Sequence, residues 1–173
     1  MEESDWSSDV CSSDLAATRL RDRLRERFDI EWQLSAGHNL PHEAIACTLA
    51  VLPGAIPQPE GYRLRISPTG ISIQAHDAAG IFYAICTLKQ LLDQLDQAAL
   101  PCVEIRDWPD FPARGVMLDI SRDKVPTMAT LFALVDRLAS WKINQLQLYT
   151  EHTFAYQNHP AVWAEASPMT GEE

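Results

Sequence analysis

A proline-rich segment, Trp108-Pro109-Asp110-Phe111-Pro112, divides the chain into two parts. Each proline lacks a backbone N–H and holds the residue before it in an extended conformation, so neither a helix nor a central strand continues through this segment. The hydrophobic pattern also changes from one side of the segment to the other. We therefore expect a domain boundary here, with one domain at residues 16–107 and a second at residues 108–173.

The first half of the amino-terminal domain shows one helical and two strand patterns. Between Ala16 and Phe28 apolar residues recur four positions apart among charged ones, which predicts an amphipathic helix. Apolar and polar residues alternate from Ile30 to Leu34, which predicts a short strand. The run from His42 to Leu52 is apolar on both faces, which predicts a central strand.

The second half of this domain predicts a hairpin followed by a helix. Residues 62–66 and 71–75 alternate in hydrophobicity around Ser67-Pro68-Thr69-Gly70, which has the composition of a tight turn. Asp77 then occupies an N-cap position ahead of apolar residues that recur at helical spacing up to Leu95. Together these patterns predict an α+β domain, a sheet with helices on one face.

Beyond the boundary the pattern is that of a βαβ unit. Residues 115–120 are apolar apart from Asp119, which predicts a continuous buried strand, and residues 127–143 carry an apolar stripe at helical spacing. A second strand is predicted at residues 145–150. A helix between two strands can return the chain to the end where the first strand began, so this order predicts a βαβ unit with parallel strands.

The first fifteen residues, MEESDWSSDVCSSDL, have no apolar periodicity and repeat Ser-Ser-Asp. They lack the basic start and apolar stretch of a signal peptide, and they resemble a translated sequencing adaptor. We expect residues 1–15 to be an unstructured artefact and the natural amino terminus to be missing.

The charge balance limits the possible partners. Lys and Arg number 14 against 24 Asp and Glu, a formal net charge of −10. Phosphate binding needs clustered basic residues, and the one basic run, Arg19 to Arg27, is interrupted by acidic residues as a solvated helix face is. No apolar run is long enough to span a membrane. We expect neither nucleic acid nor membrane as a partner, and the oligomeric state stays open.

The four cysteines, at positions 11, 47, 86 and 102, form no CxxC pair and have no histidine at matching spacing. We therefore expect no metal site, and no motif indicates a cofactor. The last three lie among apolar neighbours, which predicts buried free thiols. Free thiols favour the cytoplasm, but the compartment stays undecided because the natural amino terminus is taken to be missing.

Several strings resemble glycoside hydrolase family 20, the β-N-acetylhexosaminidases. In the first domain these are GYRL at 61–64, GISI at 70–73, and GIFYA at 80–84 followed by TLKQLL at 87–92. The more specific string runs from Ile105 to Arg122 and is similar to the start of that family's catalytic barrel. The resemblance covers about residues 20–173, and it implies a zincin-like sheet domain followed by the first strand, helix and strand of an incomplete (β/α)8 TIM barrel.

The resemblance also implies a reaction, exo-hydrolysis of terminal β-linked N-acetylglucosamine or N-acetylgalactosamine from glycans, with retention of configuration. In this family the nucleophile is the substrate's own acetamido oxygen. An Asp-Glu pair after the fourth barrel strand orients the acetamide and protonates the leaving oxygen. A barrel needs about 250 residues, and only 60 follow Ala113. We therefore expect no catalytic residue within these 173 residues, and an inactive fragment.

Two residues remain as candidates for substrate binding. In the family an Arg at the place of Arg122 binds hydroxyls of the terminal sugar, which suits a planar group with fixed donors. The alternative is a structural ion pair with Asp119 or Asp123. Glu151 stands where family members carry an acidic residue after the second strand, and the alternative is an exposed loop carboxylate. The family's His and aromatic residue after the Arg are replaced here by Asp123 and Lys124.

Two other functions remain open. The chain is also compatible with a non-catalytic carbohydrate-binding or interaction module, which would bind N-acetylglucosamine without further sequence. A third reading is another amino-sugar hydrolase with the same domain plan, such as a family 84 enzyme. The residues after the fourth barrel strand would separate the two hydrolase families.

Overall fold

A computed structural model describes residues 8–35, 47–96, 99–122 and 124–172, with side chains from residue 14 onward. The chain forms two compact units, Met1–Asp110 and Phe111–Glu173. The first contains α1 (Ser8–Phe28), β1 (Cys47–Val51), β2 (Tyr62–Ser67), β3 (Gly70–Ala75), α2 (Ala78–Asp93) and β4 (Val103–Asp107). The second contains β5 (Gly115–Asp119), α3 (Met128–Ser140), β6 (Gln145–Tyr149) and α4 (Pro160–Trp163). No helix within the described ranges is both long and apolar enough to cross a membrane.

The first unit is built on a four-stranded mixed sheet in the order β1-β3-β2-β4. β1 runs parallel to β3, and the other two pairs are antiparallel. The predicted hairpin is confirmed, because β2 and β3 pair down to Ser67 and Gly70 around the two residues Pro68 and Thr69. Gly70 has a φ of 130°, a conformation that side chains disfavour. The α+β prediction is confirmed for this unit.

The hydrophobic core lies between the two helices and one face of the sheet. The apolar stripe of α1 and the inner face of α2 meet the alternate, inward-facing residues of β2 and β3. The largest contributors include Leu20, Leu24, Leu64, Ile66, Ile73, Ile81, Ile85, Leu88 and Leu92, each no more than 5% exposed.

The start of α2 is the tightest point of this unit. The Asp77 side chain caps the helix as predicted, accepting from the Gly80 backbone N–H at 2.8 Å and also from the Glu60 N–H at 2.9 Å. A Cβ on Gly80 would lie 2.5 Å from the Gly61 carbonyl oxygen and 2.9 Å from the Ala75 Cβ. Only glycine therefore lets α2 approach the sheet this closely.

Tyr62 ties the sheet to α2 from inside the core. Its side chain is 2% exposed, and its hydroxyl lies 2.6 Å from Thr87 Oγ1 on α2. The same hydroxyl donates to Asp107 Oδ2, at 2.9 Å, on β4. The phenol thus buries its ring without leaving its polar end unsatisfied.

One strand prediction in this unit is wrong, and another is confirmed in part. Residues 29–35 form no strand. Asp29, at a φ of 56°, follows the end of α1, and Ile30 and Trp32 pack on the core outside any strand. The alternation therefore reflected packing and not a ladder. The strand predicted at His42 to Leu52 appears as Cys47–Val51, an edge strand among those described, and residues 42–46 lie outside the described ranges.

The expectation that residues 1–15 are unstructured is corrected for Ser8 to Leu15, which form the first turns of α1. The packed stripe from Ala16 to Leu24 anchors the helix, and the preceding residues contain no Gly or Pro to stop it. Extending an existing helix is much easier than nucleating one. Residues 1–7 lie outside the described ranges, and the adaptor origin stays a prediction.

The second unit contains the predicted βαβ arrangement. β5 and β6 pair in parallel from Gly115 and Gln145 to Asp119 and Tyr149. α3 joins them, and the Thr127 hydroxyl caps it by accepting from the Thr130 N–H at 3.3 Å. The expected burial of residues 115–120 is confirmed for Ile120, which is 0% exposed, but is wrong for Val116 and Met117, which are 39% and 62% exposed. Within this unit β5 has β6 as its only strand partner among the described residues.

The prediction of buried thiols is confirmed in part. Cys86 is buried on α2, whereas Cys102 is exposed at the start of β4, where the predicted burial is wrong. Cys47 is half-buried, and burial raises the pKa of its thiol to about 12. All three are free.

The packing around α2 gives a first prediction. Replacing a glycine within a helix by alanine ordinarily stabilises by about 1 kcal/mol. We expect Gly80→Ala instead to destabilise by about 1–3 kcal/mol, because its methyl group overlaps the Gly61 carbonyl. Urea unfolding followed by circular dichroism measures the change. Gly54→Ala is the matched control, since a Cβ added there would meet nothing within 4 Å; equal stability of the two variants contradicts the packing described.

Candidate functional site

The parallel pairing of β5 and β6 places the segments that follow them at the same edge of the sheet. Arg122 comes shortly after the end of β5, and Glu151 shortly after the end of β6. Arg122 Nη2 lies 3.4 Å from Glu151 Oε1. The structure therefore brings together the two residues that the sequence predicted separately as substrate-binding candidates.

Arg122 makes two further contacts. Its Nη1 lies 3.2 Å from Asp119 Oδ2, and its guanidinium carbon lies 5.6 Å from the centre of the Tyr149 ring, at cation–π distance. The ion pair with Asp119 is the structural alternative considered above; Asp123 lies outside the described residues. The Arg122 side chain is 68% exposed, and exposed ion pairs contribute at most about 1 kcal/mol. These contacts orient the guanidinium while leaving it reachable by a ligand.

Glu151 is an exposed loop carboxylate with a fixed position. Its side chain is 46% exposed, and Oε1 accepts the Tyr149 hydroxyl at 2.8 Å. Hydrogen bonding to Glu151, together with its negative charge, raises the pKa of Tyr149, because both favour the neutral phenol. Tyr149 and Arg122 therefore both contact the same carboxylate oxygen, Oε1.

Two buried hydroxyl groups lie beneath these charged residues. Ser121 and Thr153 are 8% and 1% exposed. Their oxygen atoms are 3.1 Å apart, and Ser121 Oγ also accepts the Glu151 backbone N–H at 2.6 Å. Asp119 Oδ1 accepts the Ser121 N–H at 2.9 Å, which closes the turn after β5. The charged pair thus rests on a set of short hydrogen bonds.

The chain after Glu151 is ordered by its own hydrogen bonds. The Met169 N–H donates to the Thr153 carbonyl and the Ala155 N–H to the Met169 carbonyl, both at 2.9 Å. This stretch borders an open, shallow cavity of about 360 Å³, which is lined by Phe154, Tyr156, Gln157, Asn158, His159 and Gly171 among others. The indole N–H of Trp163 donates to the Tyr156 carbonyl, so its polar edge is already occupied.

The arrangement matches the chemistry of sugar hydroxyl groups. A guanidinium offers fixed donors and a carboxylate offers acceptors, and a hydroxyl needs one of each. Arg122 donates from Nη2 to Glu151 Oε1 and from Nη1 to Asp119 Oδ2, and Glu151 Oε1 also accepts the Tyr149 hydroxyl. In the described parts of the chain no three His, Cys, Asp or Glu side chains are grouped as a metal site requires.

Three residues of this site were not predicted from the sequence. Tyr149 ends a strand in which Gln and Leu alternate, and nothing in that pattern marks its hydroxyl as part of a site. Ser121 and Thr153 are small hydroxyl residues in loops, where such residues are common for local reasons. The one available signal is their position within two residues of a candidate, after a predicted parallel strand.

Comparison with known proteins agrees with the fold. Residues 7–108 match the family model described as glycosyl hydrolase family 20, domain 2. A β-hexosaminidase of Porphyromonas gingivalis is 33% identical over 150 residues, covering 82% of this chain and 19% of its own length. N,N′-diacetylchitobiase of Vibrio harveyi is 35% identical over 96 residues, covering 56% of this chain and 11% of its own. The solved structure of Streptomyces plicatus N-acetyl-β-hexosaminidase superimposes with a TM-score of 0.72 at 26% identity, over 96% of this chain and 35% of that one.

The chain belongs to glycosyl hydrolase family 20, since that family model matches more than half of its residues. This decides against the family 84 alternative. The 82% of the chain matched by the Porphyromonas enzyme exceeds the first unit, so that match continues into the second. The chain spans no more than about a fifth of the length of these two curated relatives.

The contact between Glu151 and Tyr149 gives a second prediction. We expect Glu151→Gln to lower the pKa of Tyr149 toward the ordinary value of 10.0, because the variant removes the anionic acceptor that favours the neutral phenol. The measurement is a pH titration of ¹³Cζ-labelled tyrosine by NMR, with the resonance assigned through Tyr149→Phe. Glu165→Gln, the same charge change at another exposed position of this unit, serves as the control. An unchanged titration in Glu151→Gln would show that the two groups are not in contact.

Proposed function

We propose that this chain is the amino-terminal part of an exo-β-N-acetylhexosaminidase, and that Arg122 and Glu151 bind the hydroxyl groups of the terminal sugar. The observation that carries the proposal is the pairing of these two residues at the carboxyl ends of two parallel strands, in a chain of family 20. The relatives bear the names β-hexosaminidase and diacetylchitobiase. The substrates proposed are glycans that end in β-linked N-acetylglucosamine or N-acetylgalactosamine.

In this proposal the second unit is the start of a (β/α)8 barrel. Enzymes of that fold place their substrate at the carboxyl ends of the strands, which is the edge where Arg122 and Glu151 meet. The exposed faces of the unit support the same idea. Val116, Met117, Phe132 and Val135 are between 39% and 62% exposed, and a closed barrel buries strand residues between its strands and its helices.

The chemistry assigned to this chain is recognition. The guanidinium of Arg122 donates to ring hydroxyls while Glu151 accepts from them, so the pair fixes the orientation of the terminal sugar. The proposed reaction uses the substrate's acetamido oxygen as nucleophile, with an Asp-Glu pair from the fourth barrel strand. That pair falls in sequence beyond these 173 residues, so the chain by itself is proposed to be inactive.

A direct assay tests the inactivity. We expect the 173-residue chain to release no p-nitrophenol from p-nitrophenyl N-acetyl-β-D-glucosaminide, because it lacks the proposed catalytic pair. Calorimetry with N-acetylglucosamine runs in parallel and is expected to show no measurable binding, since most of the pocket lies elsewhere. Turnover would contradict the assignment of the catalytic pair to other sequence. Strong sugar binding without turnover would instead favour a non-catalytic carbohydrate-binding module.

A chimera tests the role of Arg122. Residues of this chain replace the aligned segment of the Porphyromonas gingivalis β-hexosaminidase, and the folded chimera is expected to hydrolyse the same substrate. Arg122→Ala in the chimera should lower kcat/KM by about 10- to 100-fold, the cost of losing charged hydrogen bonds to the substrate. Arg137→Ala, an exposed arginine on α3, is the control and should leave kcat/KM unchanged. Equal activity of the two variants, with cooperative unfolding verified for both, contradicts the proposed role.

A further inference from the structure

The ladder between β5 and β6 ends in an unusual way. Its last main-chain bond runs from the Ile120 N–H to the Tyr149 carbonyl at 3.1 Å. In a continuing parallel ladder the next bond would join the Glu151 N–H to the Ile120 carbonyl. The Glu151 N–H instead donates to Ser121 Oγ at 2.6 Å. A side-chain hydroxyl therefore takes the place of the next backbone acceptor.

The hydrogen bond from the Glu151 N–H to Ser121 Oγ links the backbones that carry the two charged side chains. Ser121 precedes Arg122 directly, and the bond it accepts comes from the backbone of Glu151. The two charged side chains are otherwise joined by contacts at 3.2–3.4 Å and are largely exposed. Exposed ion pairs of this kind are weak, so they cannot themselves hold the two backbones at a set distance.

Ser121 is in turn held from behind. It is buried, and its Oγ lies 3.1 Å from Thr153 Oγ1, which is also buried. Thr153 is anchored through its carbonyl, which accepts the Met169 N–H. Among the described residues these are the only buried side chains outside the apolar and aromatic classes. Removing either hydroxyl leaves a buried polar partner unsatisfied, which is costly and favours local rearrangement.

We propose that Ser121 is a positioning residue, whose hydroxyl, supported by Thr153, sets the separation of Arg122 and Glu151. A hydroxyl side chain is suited to the position because it accepts the Glu151 N–H and shares a second bond with Thr153 at the same time. The consequence for sugar binding rests on the proposed function. The positioning itself does not, and it is measurable in this chain without any substrate.

The ionisation of Tyr149 reports the position of Glu151. The charged groups around the phenol are Glu151 after β6 and Asp119 and Arg122 at the end of β5. If Glu151 moves away, the acceptor that favours the neutral phenol is lost, while Arg122 continues to favour the phenolate. The titration midpoint of Tyr149 then falls.

The experiment compares Ser121→Ala, Thr153→Val and Thr153→Ser by the ¹³Cζ-tyrosine titration. Valine keeps the shape of threonine without its hydroxyl, and serine keeps the hydroxyl. We expect the Tyr149 midpoint to fall in Ser121→Ala and Thr153→Val toward the value in Glu151→Gln, and to stay at the wild-type value in Thr153→Ser. Ser67→Ala, which removes a hydroxyl from the turn of the first unit, is the control.

Retention of the wild-type Tyr149 midpoint in folded Ser121→Ala overturns the proposal, as does an equal shift in Thr153→Val and Thr153→Ser. Backbone amide shifts of β5 and β6 show whether each variant is folded; if Ser121→Ala unfolds this unit, the two Thr153 variants decide. In the chimera, Ser121→Ala should raise KM more than it lowers kcat. A shifted midpoint with unchanged KM would retain the positioning role and contradict the sugar-binding role, so the two failures are distinguishable.

Discussion

Parallel pairing of β5 and β6 is the constraint on which the candidate site depends. Arg122 and Glu151 are 29 positions apart in the sequence and meet only because both strands end at the same edge. In an antiparallel pair the same residues would lie at opposite ends of five-residue strands, roughly 15 Å apart. α3 makes the parallel arrangement possible by returning the chain to the start of the sheet. The chemistry of this unit is therefore a consequence of its topology.

The first unit follows a different logic, in which the recognisable residues are structural. The strings that resemble the family, GYRL and GIFYA, surround the closest approach of α2 to the sheet. Gly80 leaves space for the Gly61 carbonyl, and Tyr62 uses its hydroxyl to join α2 and β4. The residues that resemble the family in this part of the chain are therefore residues that pack the domain. The candidate substrate contacts all lie in the second unit.

Local signals in the sequence predicted the elements well where one residue decides the conformation. The turn of the hairpin and the Asp77 cap are of this kind, and both are confirmed. Alternation of apolar and polar residues was a less reliable signal. Ile30 and Trp32 pack on the core outside any strand, and β1 lies at an edge of the described sheet. Burial was overestimated for residues 115–117, because a hydrophobic pattern shows which face of a strand can be buried and not whether another element covers that face.

The site was predicted only as separate residues. Sequence position identified Arg122 and Glu151 as candidates. Their contact, the hydrogen bond from Tyr149 and the hydroxyl groups beneath them depend on the register of the two strands, which residue patterns do not encode.

The most direct test of the account is the scalar coupling across the hydrogen bond from the Ile120 N–H to the Tyr149 carbonyl, measured by NMR in deuterated protein. A resolved coupling, with slow exchange of the Ile120 amide, is the predicted result. An absent coupling with exchange at the rate of an unfolded chain would contradict the parallel pairing and with it the site.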